Sequence, residues 1–447
     1  MKIYKGKIIT CDPENNVFKY LIEENGIIKF VGDVLPEQYK GIELFDLGNR
    51  ALLPAFSDTH IHFSSYALFA STLDVRAASN FQELGGIIND YSKRSNDKVL
   101  LGFGLSAHSL KEQRLITREE LDELYSKRPL MIIKYDGHAS IVNSKMLELL
   151  PKELASLRGF NPDSGHLTQE SYFKGTDFIT NKVSAIKLIR NILKGFDIVA
   201  EKGIGMIHAV EGVGFPRDLD VDLMRFISKG LRNPFQVRLF FQTMDIAKVQ
   251  KRKLPRIGGC FANALDGSFG SVDAALLEPY SNDDNNRGVL YYPDDEVSKF
   301  TIAANRAGLQ IQMHAIGDAA FEQAVKALDT ALKDFPRTDH RHTIIHACLP
   351  TKPGLEKCAE LGIGIAAQPK FLDWNLEPLH YFETILGERA YQQSPFRDML
   401  DSGIHVSGGS DAPCTEPDPI AGIYAACNHF VPEQSVSIQE ALKMFTS

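Results

Sequence analysis

The chain has little that would mark it for the cell surface, a membrane or nucleic acid. Its 447 residues hold six cysteines, Cys11, Cys260, Cys348, Cys358, Cys414 and Cys427, with no C-x-x-C pair. That spacing offers neither a disulfide framework nor a redox motif, so the thiols are expected to be buried or incidental, in a reducing compartment. No run approaches the roughly 18 uninterrupted apolar residues of a membrane span. Lys2, Lys5 and Lys7 near the start are not followed by an apolar stretch of signal-peptide length. Basic residues number 49 against 57 acidic ones, a net charge of −8, which disfavours a nucleic-acid surface. The expectation is a soluble cytoplasmic protein whose partner is a small-molecule substrate, with neither nucleic acid nor membrane involved. Homo-oligomerisation is left open. With 44% hydrophobic and 24% charged residues the chain is globular in composition, which excludes disordered and collagen-like classes.

Two patterns follow one another along the chain. Residues 1–50 carry short alternating segments, KIYKGKIIT, VFKYLIE and IIKFVGD, separated by the turn sequences DPENN and ENG. They predict a small strand meander that needs cover from elsewhere. From residue 51 onward, short apolar runs alternate with segments of helical period. Eight candidate strands cover 51–62, 204–209, 236–242, 257–266, 309–315, 342–347, 363–369 and 404–411. The clearest intervening helix spans 318–335, where Phe321, Val325, Leu328, Leu332 and Phe335 recur at helical spacing. Eight strand–helix units predict an α/β fold, a closed (β/α)8 TIM barrel, over 51–447. A large insertion of about 63–200 follows the first strand, and a long connection covers 267–294.

The polar residues fall into register on this map. His60 and His62 form an H-x-H at the end of the first strand and point to one side, because strand side chains alternate. His208, His314 and His346 lie near the ends of the second, fifth and sixth strands, and Asp411 closes the eighth. Barrel enzymes assemble their active sites at these strand ends. A single strand-end histidine is commonly a packed residue, and an isolated H-x-H is weak. Several imidazoles with a carboxylate at one barrel mouth match the ligand set of a divalent metal instead.

At this point the sequence resembles a known family. LLPAFSDTHIHF is similar to the opening motif of the amidohydrolase superfamily. DGHASIVNSKML, ALDGSFGSVDAALLEPY, QMHAIGDAA, HTIIHACL and SPFRDMLDSGIHVSGGSDAP resemble its YtcJ-like branch, which includes N-substituted formamide deformylases. The resemblance implies that His60, His62 and Asp411 bind one metal. His314 and His346 would bind a second, or one of them would contact substrate. Zinc is the first choice, with manganese or iron as alternatives, as one ion or two. Asp411 would take a proton from the attacking water and pass it to the leaving nitrogen, with His346 assisting at the reacting carbonyl. The N-terminal strands would form part of a small β-sandwich beside the barrel. The sequence ends at SIQEALKMFTS, so the sandwich's C-terminal strands are expected to be missing.

The departures from the family pattern are as informative. Many two-metal relatives carry a bridging lysine on the fourth strand; here that strand reads IGGCFANALD, and Ala262 stands at the aligned position. Glu170 in GHLTQES is the preferred replacement bridge, with a solvent-exposed helix-start residue as the plain reading. Asp266 and Cys260 are weaker options. His138 of DGH and Trp374 of QPKFLDWN are candidates for the substrate pocket, against turn chemistry and core packing. His208 is balanced between substrate contact and strand-end packing. The leading function is a metal-dependent hydrolase of a non-peptide C–N bond in an amide, formamide or cyclic amide. The alternatives are a catalytically degenerate metal- or ligand-binding barrel, and deaminase or isomerase chemistry at the same site.

Overall fold

The structure, a computed structural model, describes residues 1–182, 185–230 and 235–446. The N-terminal strands β1 (Lys2–Ile9), β2 (Val17–Glu24), β3 (Ile27–Gly32) and β4 (Leu44–Leu52) form one sheet in the order β3-β2-β1-β4. The meander is as expected; β4 is an addition. Residues 51–52, expected to open the barrel, belong to β4, and the barrel strand β5 is Phe56–Ile61. Pro54 lies in the break, where it has no N–H to continue a ladder.

Between β5 and the second barrel strand, the chain builds its own sheet. It holds β6 (Leu73–Asp74), β7 (Leu100–Leu105), β8 (Leu130–Lys134), β9 (Ala139–Val142), β10 (Phe160–Asn161) and β11 (His166–Thr168). The strand order is β10-β11-β9-β8-β7-β6. Leu84, Ile88, Leu121 and Leu130 belong to a core of its own. The two ends of the 63–200 insertion behave differently, because they pack into the barrel core. The helix Phe63–Phe69 meets the helix Ala185–Glu201 through Phe63 and Phe196, ring centroids 4.5 Å apart.

The barrel continues with β12 (Ile204–Glu211), β13 (Gln236–Phe241), β14 (Arg256–Ala264), β15 (Gln310–Ala315), β16 (Thr343–His346), β17 (Gly364–Ala367) and β18 (Val406–Gly408). These and β5 form an eight-stranded parallel sheet in chain order. The circle is drawn together between β18 and β5 by Thr59 Oγ1 donating to the Gly408 carbonyl at 3.0 Å. Just beyond the strands, Asp411 N–H donates to His60 O at 2.8 Å and His62 N–H to Ala412 O at 3.0 Å. The helix Asp318–Asp334 buries Phe321, Val325, Leu328 and Leu332, while Phe335 lies past its end and is exposed. No helix among the described residues is long and apolar enough to cross a membrane.

Candidate metal centre

Strand alternation places Asp58, His60 and His62 of the first barrel strand on one face. Asp58 ties that face to the eighth strand's loop: its carboxylate accepts from Ser410 N–H at 2.9 Å and from the Ser410 hydroxyl at 2.6 Å. The next residue is Asp411, whose Oδ1 comes within 3.0 Å of His60 Nε2 and 3.2 Å of His62 Nε2. Gly409 permits this approach, since a Cβ there would meet the His60 nitrogen at 2.7 Å. All three groups are nearly buried.

His314 and His346 complete a second set across the barrel, with ring centroids 4.6 Å apart. His346 Nδ1 lies 2.6 Å from Gln368 Oε1, which leaves Nε2 facing the centre. Asp266 Oδ1 is 3.3 Å from His314 Nδ1. The same carboxylate accepts the backbone N–H groups of Ala275, Ile316 and Gly317, so it anchors the loops around the fifth strand.

Cys260 joins the two sets. Its Sγ is 3.2 Å from His60 Nε2 and 3.6 Å from His346 Nε2. Donor atoms of His60, His62, Cys260 and Asp411 lie within 4.8 Å of one another, as do those of Cys260, His314 and His346. The cause is a register shift between β14 and β15 from Gly259 to Ala264. Gly258 and Gly259 take positive φ values of 111° and 138°, and a Cβ on Gly258 would meet the Gln312 carbonyl at 1.8 Å. Only glycine fits there, and the bulge re-aims the side chain that follows.

The donor set fits a divalent metal. Asp411 Oδ1 is buried with no aligned donor, although His60 Nε2 and His62 Nε2 crowd around it. Buried polar atoms are nearly always satisfied, and a cation would satisfy these converging imidazole, thiol and carboxylate atoms together. Burial keeps the imidazoles neutral, the form that ligates: His314 is pushed down to about 3, and His60 and His346 also fall below the ordinary range. Burial pushes the Cys260 thiol up, whereas a coordinated thiol is deprotonated outright. His346 and Asp411 also hold positive φ values of 71° and 55°. Strained backbone at side chains of this kind is typical of functional sites.

Several sequence expectations need correction. Glu170 does not bridge: it is exposed at the start of the helix Gln169–Thr180 and pairs with Arg158 at 2.8 Å. On the fourth strand the bulge has brought Cys260, named there only as a weaker option, to the donor cluster. Cys260 is therefore no incidental thiol. His208 packs beside Phe240, with ring centroids 5.7 Å apart, and is absent from the cavity lining. Burial, with Arg256 and Arg238 nearby, pushes it down to about 3.

A cavity opens on the donor cluster, with His138 and Trp374 in its lining. Trp374 stacks on Phe371 at 5.1 Å, and Phe371 stacks on His346 at 5.8 Å. Asp58 and Gln368 were not singled out by sequence reasoning. Asp58 shared the inward period of His60 and His62, a usable signal. Gln368 had none beyond its place at the end of the seventh strand.

Known proteins with a similar sequence and fold give the chain its family. Residues 43–160 and 203–447 match the amidohydrolase family. The YtcJ protein of Bacillus subtilis (strain 168) is 24% identical over 483 residues, covering 99% of this chain and 88% of that one. The N-substituted formamide deformylase of Arthrobacter pascens is 22% identical over 491 residues, covering 100% and 88%. Among solved structures, a metal-dependent hydrolase from Pyrococcus horikoshii OT3 superposes with a TM-score of 0.77 at 23% identity, over 99% of this chain and 90% of its own. Its counterpart from Pyrococcus furiosus gives 0.75 at 24% identity, over 99% and 92%. These likenesses show the fold. With the family match extending over both halves of the barrel, this chain belongs to the amidohydrolase family.

Proposed function

We propose that the protein is a metal-dependent hydrolase that cleaves a non-peptide C–N bond in a small amide, formamide or cyclic amide. One observation carries the reading: buried imidazole, thiol and carboxylate donors converge at one side of a largely apolar cavity. Membership of the amidohydrolase family and the similarity to a formamide deformylase support the choice of bond. The mixed nitrogen, sulfur and oxygen donors favour zinc, with manganese and iron as the alternatives to be measured. His60, His62, Asp411 and Cys260 would hold one ion, and Cys260, His314 and His346 a second.

When bound, a divalent cation supplies Lewis acidity toward a carbonyl oxygen and lowers the pKa of a water molecule toward neutrality. The chain's own groups do the rest. Asp411 accepts the proton of the attacking water as the new C–O bond forms, and delivers it to the nitrogen as the C–N bond breaks. His346, oriented by Gln368, stands where a neighbouring imidazole can stabilise charge developing on the carbonyl oxygen. Asp58 positions Asp411 through Ser410. The aromatic lining excludes bulk water from the reacting bond.

Metal analysis of protein purified without chelator, followed by a screen of formamides, N-acyl amines and cyclic amides, tests the reading. About one or two equivalents of metal and metal-dependent release of amine are expected. Below about half an equivalent of zinc, manganese or iron, the site assignment fails. Stoichiometric metal with no turnover on any member would leave a binding barrel and overturn the hydrolase. Ammonia release from purine-like bases would redirect the chemistry to deamination.

A further inference from the structure

The cavity has a one-sided charge pattern. Among the described lining residues there is no lysine and no arginine. Apart from Asp411 of the donor cluster, three carboxylates line it: Asp136, Asp177 and Glu377. Much of the remaining wall is aromatic, including Phe69, Phe103, Phe173, Phe261 and Trp374.

The nearest buried cation is already used. Lys134 Nζ donates to Asp136 Oδ2 at 2.8 Å, to the Gly270 carbonyl at 2.9 Å and to Ser271 Oγ at 3.2 Å. An ammonium has three donors, so Lys134 has none left for a ligand, and Asp136 is neutralised by the same pair. Glu377 and Asp177 differ. Glu377 is nearly buried and receives a hydrogen bond from the Tyr135 hydroxyl at 2.5 Å; burial pushes its carboxyl up to about 7, so it is partly ionised near neutrality and fully so at higher pH. Asp177 sits half-buried on the helix Gln169–Thr180; the exposed Lys174 lies one turn earlier and does not line the cavity.

A carboxylate on a substrate would therefore lose its hydration beside Asp177 and a partly ionised Glu377, and would find no lysine or arginine in the described lining. An ammonium would find carboxylates and the faces of several aromatic rings in the same wall. We propose that the cavity takes amides with an apolar, arylalkyl arm that carries no negative charge, and that it prefers an arm ending in an ammonium to one ending in a carboxylate. N-acylated amino acids would then be poor ligands. The position of the reacting bond depends on the hydrolase reading above; the charge preference of the arm does not.

Three matched arylalkyl formamides test it, bearing a methyl, an aminomethyl or a carboxylate group at the same ring position. Their binding is measured calorimetrically with chelator-treated full-length protein, so that no contact between carboxylate and bound cation enters. The carboxylate compound is expected to bind at least about 30-fold more weakly than the ammonium compound, since one charge encounter at about 8 Å and an effective dielectric of about 20 already amounts to that and the sign reversal adds to it. The double variant Asp177→Asn, Glu377→Gln should shrink that ratio to within about threefold. Equal binding of the two charged compounds by the native protein overturns the proposal. So does a ratio that the double variant leaves unchanged. Turnover of the same compounds by metal-loaded protein is scored separately: with none turned over and the binding order intact, the hydrolase reading fails and the charge preference stands.

Discussion

The donor side and the apolar side of the cavity are built by different parts of the chain under different physical rules. On the donor side, His60, His62, Cys260, His314, His346 and Asp411 come from the barrel strands and the loops that follow them, and none is more than 7% exposed. Their positions are over-determined: Asp58 holds the loop of Asp411, Gln368 holds His346, and two glycines bend the fourth strand. On the apolar side, Phe173 and Asp177 lie on the insertion's helix Gln169–Thr180, and Phe173 is 38% exposed. Here no hydrogen-bond network fixes the rings. The difference teaches that chemistry is assigned to the rigid sheet, where buried polar atoms and strained backbone can be held, while selection is assigned to the looser wall.

The most severe way to break the comparison is to remove two donors at once. His60→Ala with Asp411→Asn should abolish bound metal and lower turnover by on the order of 1,000-fold or more, measured by elemental analysis and steady-state rates. Retained metal in that variant would move the centre elsewhere. Cys260→Ser is expected to be milder, with weakened metal retention and activity reduced about 10- to 100-fold. Metal content equal to that of the native protein would remove Cys260 from the ligand set.

On the other side of the cavity, Trp374→Ala should raise KM by about tenfold with little change in kcat, because it removes contact area shared by ground and transition states. A fall in kcat instead would show that the stack from Trp374 through Phe371 to His346 positions the imidazole, and the boundary between the two sides would shift. The smallest effect belongs to Glu170→Gln. Its pair with Arg158 is exposed and screened by solvent, so neither the melting temperature nor the metal content should change measurably.

The barrel was legible because strands covered on both faces read as short apolar runs between helical segments. His60, His62 and Asp411 were legible for a related reason: strand ends and the family's motifs coincide there. The strand β4 was not, since LFDLGNRAL faces solvent over most of its length and lacks an apolar alternation to read. Glu170 misled because a motif-like spacing says nothing about distance in space; its carboxylate finds Arg158 twelve residues earlier. His208 sits on a correctly predicted strand, yet that strand runs on to Glu211 and leaves it packed by Phe240, away from the cavity.

By itself, then, the sequence determined the strand–helix alternation, the family and five of the candidate donors, because these follow from local periodicity and from residues close in sequence to their strand ends. Which residue of the fourth strand faces the centre was decided only by the tertiary structure. Period two assumes a regular strand, and the Gly258–Gly259 bulge breaks that period to deliver Cys260 between two pairs of imidazoles. The charge of the cavity was likewise settled in three dimensions. Lys134 and Asp136 cancel each other in space, and only the folded chain shows that Asp177 and Glu377 face the cavity with no lysine or arginine beside them in its described lining.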